Sequence, residues 1–484
     1  MAEIENKSLS NSSIIPLQNH IDGAWEPVAK QRDAPLCNAN TGEVIDQQRE
    51  SSPEQLERAL LTAERAYRSN GTWSSSSPAV RAEHLLAAAA LLDTKAADIA
   101  ALDSLLTGAV IHLTTRLAAI CAAAFRGAAA LLGEENDERV PGDLLIERRA
   151  LGPAAIIGPW NAPAGILSHK LASALAAGCP AIIKPSEWAP YSAQLIVETL
   201  QEAGLPGDAC QLLHGGGAAG AALAADPHIA SVSFTGGLAA GRAVAAACAA
   251  QLKPAQLELG GNNPLLVLED ADLEAAACGI VTGLITLNGQ WCRAVGRLLV
   301  HRRQQQALLD LVAEKLGNLV CGSSLDQHSE MGPLAHRAHR ELIQKQVSRL
   351  IALGGETRQY TRLPQLQGWF YPPTLVTGLT PELTIDEIFG PVACVHCFDD
   401  DAQAIQLANQ TPFGLAAYVF GEPQHCWKIA EHLRCGVIKI NAVTLLNLSP
   451  EAPRPAWGLS GLGDEGTRET FEFFRGTRVI GVAG

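Results

Sequence analysis

Cys292 closes the run Asn288-Gly289-Gln290-Trp291-Cys292 and lies 34 positions after Glu258, which opens the run Glu258-Leu259-Gly260-Gly261-Asn262-Asn263-Pro264. A cysteine in a Gly-Gln-x-Cys turn has little bulk before it, so its thiol can face a cleft and its own N–H can point at a reacting oxygen. Glu258 stands before a Gly-Gly pair, where a carboxylate on a glycine hinge can move between positions and act as a general base. A single cysteine means little, because free cysteine is among the most buried residue types. A third element strengthens the case. Gly158-Pro159-Trp160-Asn161-Ala162-Pro163 follows the apolar stretch 154–157, and Asn161 can donate to an oxyanion.

These loops need rigid elements around them. Apolar residues recur at helical spacing over 53–69 and 78–106, which predicts packing helices. From residue 151 onward, strand-like runs at 154–157, 181–184, 211–214 and 231–234 alternate with helices at 167–177, 193–203, 218–225 and 237–251. Such alternation predicts a doubly wound α/β domain on a parallel sheet. A second alternating stretch, 264–447, holds strand-like runs at 298–300, 393–398 and 416–420 and predicts a second α/β lobe.

With 484 residues and 47% hydrophobic content, the chain can bury a large core in two or three lobes. Its formal charge of −14 argues against a nucleic-acid backbone partner. The start, residues 1–13, is polar, no apolar run has membrane flanks, and the 12 scattered cysteines suit a reducing compartment. A cytoplasmic protein with no membrane partner is expected. Cys394-Val395-His396-Cys397 has the spacing of a metal half-site but lacks a second pair, so no metal is expected. The glycine run 215–220 fits a dinucleotide fingerprint by letter, yet the acid expected about 20 residues later is missing.

Six ordered motifs now stand together: Lys184-Pro185-Ser186-Glu187, Phe234-Thr235-Gly236-Gly237 with Gly241, the Glu258 and Cys292 runs, Glu387-Ile388-Phe389-Gly390-Pro391, and Pro412-Phe413-Gly414-Leu415. With them the chain resembles the NAD(P)-dependent aldehyde dehydrogenase superfamily over nearly its whole length. The resemblance implies a Rossmann-type cofactor domain (14–131 and 151–258), an α/β catalytic domain (259–457) and a small β-extension for oligomerisation (132–150 and 471–484). It implies a homodimer or homotetramer acting on a small-molecule aldehyde. In roles, it implies Cys292 as nucleophile, Glu258 as base for the water that hydrolyses a thioester, Asn161 as oxyanion donor, and Lys170 with Glu465 as the outward proton relay. The implied cofactor contacts are Trp160, Lys184, Glu187, Gly217, Phe234, Gly236, Gly241, Leu259, Glu387 and Phe389. Glu187 beside a ribose would repel a 2′-phosphate, which tilts the expectation to NAD, with NADP tolerated through Lys184.

The expected substrate pocket comprises Ala162, Gly165, His169, Trp291 and Arg293. Small or polar side chains at Ala162, Ala164, Gly165 and His169 predict a wider and more polar tunnel. Arg293, next to the nucleophile, either binds an anionic or polar substrate tail, helps to ionise Cys292, or forms an outward surface pair. Asn262-Asn263 stands where the family more often has Lys-Ser, a pattern shared with dehydrogenases of amino-acid-derived semialdehydes. Asp464 stands where an arginine is common. Three alternatives remain open: a catalytically silent binding or structural relative, a coenzyme-A-acylating enzyme, and a simple esterase. Intact Cys292, Glu258 and Asn161 argue against the first, Glu258 against the second, and the cofactor motifs against the third.

Overall fold

In the computed structural model, the described residues are 15–68, 72–134, 138–140, 144–446, 448–449 and 451–482. The polar start, residues 1–13, and parts of the two expected extension segments (135–137, 141–143, 483–484) lie outside them. Eight strands form the first sheet, in the order Ala24–Pro27, Gln18–Ile21, Cys210–Leu212, Ala181–Lys184, Ala154–Ile157, Ser231–Thr235, Ala255–Glu258 and Gly461–Leu462. The pairings among the central five strands, from Cys210–Leu212 to Ala255–Glu258, are all parallel. Numbered by their order in the chain, these five lie 3-2-1-4-5, the doubly wound Rossmann order. The order reverses between Ala154–Ile157 and Ser231–Thr235, and ligands bind beyond the carboxyl ends of strands at such a reversal. The loops that start at Gly158 and Gly236 emerge there.

The second sheet has seven strands, in the order Glu356–Arg358, Thr374–Thr377, Val392–Phe398, Val295–His301, Asn263–Val267, Ala416–Phe420 and Val437–Ile440. It too is parallel apart from its first edge strand. Asn263 pairs with Val295, which sets the segment after Glu258 beside the segment after Cys292. A third, antiparallel sheet joins Arg475–Ile480, Leu144–Ala150 and Glu138–Val140.

Local chemistry explains where the positioning helices begin. Pro53–Tyr67 starts at a capping box, in which Ser52 and Gln55 each bond the other's backbone N–H. Pro78–Thr107 starts on a Ser77 cap and stops at Gly108, φ 74°. Pro163–Ala177 is buried along almost its whole length and apolar on all sides, as a helix inside a core must be. It starts four residues before the predicted residue 167, because proline fits the first turn of a helix. Ala162 is thus its N-cap, and Gly165 lies in its first turn. Ile111–Gly133 is long and apolar enough to cross a membrane by length and composition, with half of its most apolar window buried inside the protein. All 12 cysteines are free thiols.

Candidate active site

A cavity of about 520 Å³ runs along the carboxyl edge of the first sheet, lined at one end by Lys184, Glu187 and Gly217 and elsewhere by Asn161, Glu258 and Cys292. Glu258 is the last residue of strand Ala255–Glu258, so the sheet delivers its carboxylate to this edge. Cys292 arrives from the opposite side, on a turn in which Leu287, Asn288 and Gly289 all have positive φ. Gly289 is obligatory there, since a Cβ on it would lie 2.2 Å from the Pro391 nitrogen.

Buried amides hold this strained turn. Asn288 Nδ2 donates to the carbonyls of Gly108 and Pro333, both at 2.7 Å, and its Oδ1 accepts from the Gly332 N–H. Gln290 Nε2 donates to Thr107 O, while its Oε1 accepts from Ala335 N–H. Asn263 Nδ2 donates to the carbonyls of Cys292 (2.9 Å) and Ala294 (2.8 Å). Asn262 Nδ2 donates to the carbonyls of Thr384 and Asp386. The Asn262-Asn263 pair therefore clamps backbone.

Asn161 Nδ2 donates to Gln290 O at 2.8 Å, which leaves its second amide hydrogen free toward the cavity. The Cys292 N–H has no acceptor among the described residues. Two donors therefore converge where an oxyanion on a Cys292 adduct would form.

The nucleophile and the base share a hydrogen bond and a charge problem. Burial, together with the charge of Glu465, holds the Glu258 carboxyl above the usual carboxylate range. Burial and the Glu258 carboxylate push the Cys292 thiol well above its ordinary range, and Arg293 pulls it back down. Both groups are thus held toward their protonated, neutral forms. Arg293 itself is only 8% exposed, so the outward surface pair is excluded. The Tyr418 hydroxyl donates to the Arg293 carbonyl, and the pKa of Lys439 falls to about 8 through burial and the Arg293 charge. The Lys439 ammonium donates to Thr444 O, Thr444 Oγ1 and Leu446 O, shaping the loop that carries Leu445.

Behind Glu258, Lys170 Nζ lies 2.6 Å from Glu465 Oε1, with both side chains buried. Lys170 also donates to Ser233 Oγ, which donates on to Gln256 Oε1. Although burial pushes the Glu465 carboxyl up, Lys170 and Arg454 hold it below its usual range. Glu465→Gln would leave the Lys170 ammonium buried without its counter-charge, at an expected cost of ~3 kcal/mol or more. A thermal melt of that variant within 1 °C or so of the parent would refute this.

Most of the residues predicted to contact a cofactor gather along one cavity. Trp160, Lys184, Glu187, Gly217, Phe234, Gly236, Leu259, Glu387 and Phe389 all line the cavity. Gly241 does not: a Cβ there would lie 2.4 Å from Leu259 Cδ2, so it is a packing glycine within the helix Leu238–Ala250. Gly237 takes its place on the cavity wall. The helices Gly217–Ala225 and Leu238–Ala250 start with no side-chain cap, and a Cβ at Gly217 or Gly237 would meet nothing within 4 Å. Open backbone at a helix N-terminus suits a pyrophosphate. Thr235 Oγ1 is a buried hydroxyl without a partner among the described residues, on the same wall. Glu387, raised to about 7 by burial despite a bond from the Gly261 N–H, closes over the Gly260-Gly261 hinge.

The predicted substrate residues are placed differently. None of Ala162, Gly165, His169, Trp291 and Arg293 lines the main cavity, whereas Ile166 does. Gly165 faces Leu117 and Ile120, so it serves helix packing. His169 Nε2 meets Thr470 Oγ1 at 3.1 Å, and burial drops its pKa to about 3, so a neutral ring turns away from the cavity. Ala162 and Trp291 belong to an apolar cluster, against which Leu113, Ile120, Ile166, Cys292 and Leu445 pack partly buried. The surroundings of the thiol on this side are apolar, against the polar tunnel expected. Sequence reasoning missed these, along with the ring cluster around Trp160. There, Trp160 packs edge-on against His339 (5.0 Å) and Phe389 (5.5 Å), and Trp188 stacks on His336 at 3.8 Å. A histidine pair at helical spacing, His336 and His339, was the available signal.

The sequence model described as the aldehyde dehydrogenase family matches residues 25–480. The chain belongs to this family. It is 35% identical to a betaine aldehyde dehydrogenase of Sinorhizobium fredii, over 91% of this chain and 92% of the relative. It is 33% identical to a chloroplastic aminoaldehyde dehydrogenase of Arabidopsis thaliana, over 93% and 92%. Among solved structures, a betaine aldehyde dehydrogenase of Staphylococcus aureus in complex with NAD+ superimposes with a TM-score of 0.91 at 29% identity, covering 97% of this chain and 95% of that one. An aldehyde dehydrogenase C variant of Pseudomonas syringae, in complex with NAD+ and octanal, has a TM-score of 0.90 at 32% identity, covering 96% of each chain. The fold is thus that of NAD(P)-dependent aldehyde dehydrogenases, and the chain is an oxidoreductase of that class.

Proposed function

We propose that this chain oxidises an aldehyde to its carboxylic acid with NAD+ through a thioester on Cys292. The carrying observation is the convergence of the Cys292 thiol, the Glu258 carboxyl and the free amide hydrogens of Asn161 and Cys292 on one cavity. Lys184, Glu187, Gly217, Gly237, Thr235 and Glu387 would hold the dinucleotide, which supplies a hydride acceptor when bound. The Cys292 thiol loses its proton to solvent, aided by the Arg293 charge, and the thiolate adds to the aldehyde carbon. The Asn161 amide and Cys292 N–H stabilise the resulting oxyanion, a type of contact worth about 3 kcal/mol. Loss of hydride leaves the Cys292 thioester. Glu258 then deprotonates a water that cleaves it, and the Lys170–Glu465 pair carries the proton away.

Arg293 does not line the cavity, but its buried charge is felt at Cys292 and Glu258 and favours an anionic or neutral aldehyde tail over a cationic one by longer-range electrostatics. Arg293→Ala is expected to lower kcat/KM for a carboxylate-bearing aldehyde by ~10-fold or more relative to a neutral aldehyde of equal length. Equal kinetics for both aldehydes in parent and variant would remove this role. The overall reading is tested by following reduction of NAD+ and NADP+ with a panel of aliphatic, aromatic and carboxylate-bearing aldehydes. No turnover with any of them would favour a silent relative.

A homo-oligomer in the cytoplasm completes the proposal. Val479 and Ile480, at 60% and 47% exposure on the strand Arg475–Ile480, are apolar side chains that a subunit contact would cover.

A further inference from the structure

Trp188 belongs to none of the six motifs, yet it lines the cavity directly after Glu187. It follows the strand Ala181–Lys184 of the first sheet, as Trp160 follows Ala154–Ile157. Rings of the second lobe face these two indoles. His336 and His339 stand at the start of the helix Arg337–Ala352, and Phe389 just before the strand Val392–Phe398. The Trp188 indole and the His336 imidazole lie nearly parallel, 11° apart, with centroids at 3.8 Å. From His336 the contacts continue to Trp160 (5.9 Å) and His339 (5.7 Å), and from Trp160 to His339 (5.0 Å) and Phe389 (5.5 Å). One chain of rings thus joins the neighbour of Glu187 to the neighbour of Asn161 and crosses between the lobes.

All of these rings line the cavity except His336. His336 acts from behind, and it is fixed there: its Nδ1 caps the helix by accepting from the His339 N–H at 3.2 Å. His339 Nε2 in turn donates to the Phe389 carbonyl at 2.7 Å. Burial drops the pKa of His336 to about 3 and that of His339 to about 4, so both rings are neutral at neutral pH and stack with no charge to solvate. Lys184, Glu187 and Gly217, at one end of the wall, come from the first lobe alone, whereas His339, Glu387 and Phe389 come from the second. A dinucleotide lying along the cavity would pass the place where Trp188 meets His336. Contacts that tie two lobes across a cleft must part before a long ligand leaves, and such opening steps often set the rate of release.

We propose that Trp188 and His336 form a clasp between the lobes that holds the bound dinucleotide in the cleft, with Trp188 touching the cofactor and His336 positioning Trp188. This rests on the cofactor reading above but not on any substrate or on turnover. The test is the rate at which NADH leaves the full chain, measured by stopped-flow chase of bound NADH with excess NAD+ and read from nucleotide fluorescence. His336→Asn keeps a helix-capping side chain and removes the ring, whereas His336→Phe keeps a ring and removes the cap. His336→Asn and Trp188→Leu should release NADH ~5-fold faster or more, while His336→Phe stays within ~2-fold of the parent. A histidine that served only its helix would give the reverse order, with Phe more damaging than Asn. Melts of each variant check folding, and if a His336 variant fails to fold, Trp188→Phe decides, since it keeps a ring and should release NADH more slowly than Trp188→Leu. The proposal is overturned if His336→Asn releases NADH at the parent rate, if His336→Phe releases it as fast as His336→Asn, or if Trp188→Phe and Trp188→Leu behave alike. A parent that binds neither NADH nor NAD+ would overturn the cofactor reading itself.

Discussion

Cys292→Ala should abolish aldehyde oxidation, lowering turnover by ~10⁴-fold or more, while leaving NAD+ affinity within about twofold. The loss is large because, among the described residues, the thiol is the one nucleophile at the junction of Asn161, Glu258 and the Cys292 N–H that can bond covalently to an aldehyde carbon. The cofactor wall does not depend on it, since Lys184, Glu187, Gly217, Gly237 and Glu387 lie on other loops. The turn would also persist, because Asn288, Gln290 and Asn263 grip its backbone rather than its thiol. Stopped-flow reduction of NAD+ and calorimetric binding on the same preparation separate the two quantities. Residual turnover above a few per cent would mean that hydride leaves an adduct not formed on Cys292.

Glu258→Gln separates the two halves of the reaction. Glutamine cannot deprotonate water, so the thioester should accumulate: a burst of about one reduced NAD per active site, then a steady rate ~10³-fold below the parent. The thiol itself responds in the opposite direction. The Glu258 carboxylate raises the Cys292 pKa, by charge and by hydrogen bond, so its removal lowers that pKa. Alkylation of Cys292 by iodoacetamide at neutral pH should therefore speed up in Glu258→Gln, and its pH profile should shift to lower pH. A variant with no burst and slower alkylation would show that Glu258 is needed to ionise the thiol, which would shift its main role from the second half of the reaction to the first.

Both outcomes depend on a site whose components were visible in the sequence to different degrees. The apolar runs at 154–157, 181–184 and 231–234 match strands within a residue, because parallel strands buried on both faces read as continuous apolar runs. Helix starts were less legible: Pro163 opens its helix four residues before the periodic pattern, since a buried helix has no polar face to mark its phase. That shift explains why Gly165, expected at the substrate, serves helix packing instead. His169 failed differently. Its residue type suggested a polar tunnel, but its ring faces Thr470, 301 positions away in the chain.

Residue type and order alone determined the family and singled out the residues proposed as nucleophile, base and most of the cofactor wall, because those roles need specific atoms on short, glycine-marked loops. Tertiary structure decided what surrounds them. Asn263 turned out to clamp the Cys292 backbone, Arg293 proved buried rather than outward, Gly241 packs against Leu259, and Trp188 stacks on His336 from the opposite lobe. Hydrogen bonds, close packing and electrostatic neighbours between remote segments depend on how the sheets and hairpins come together. Linear spacing carries no record of that distance.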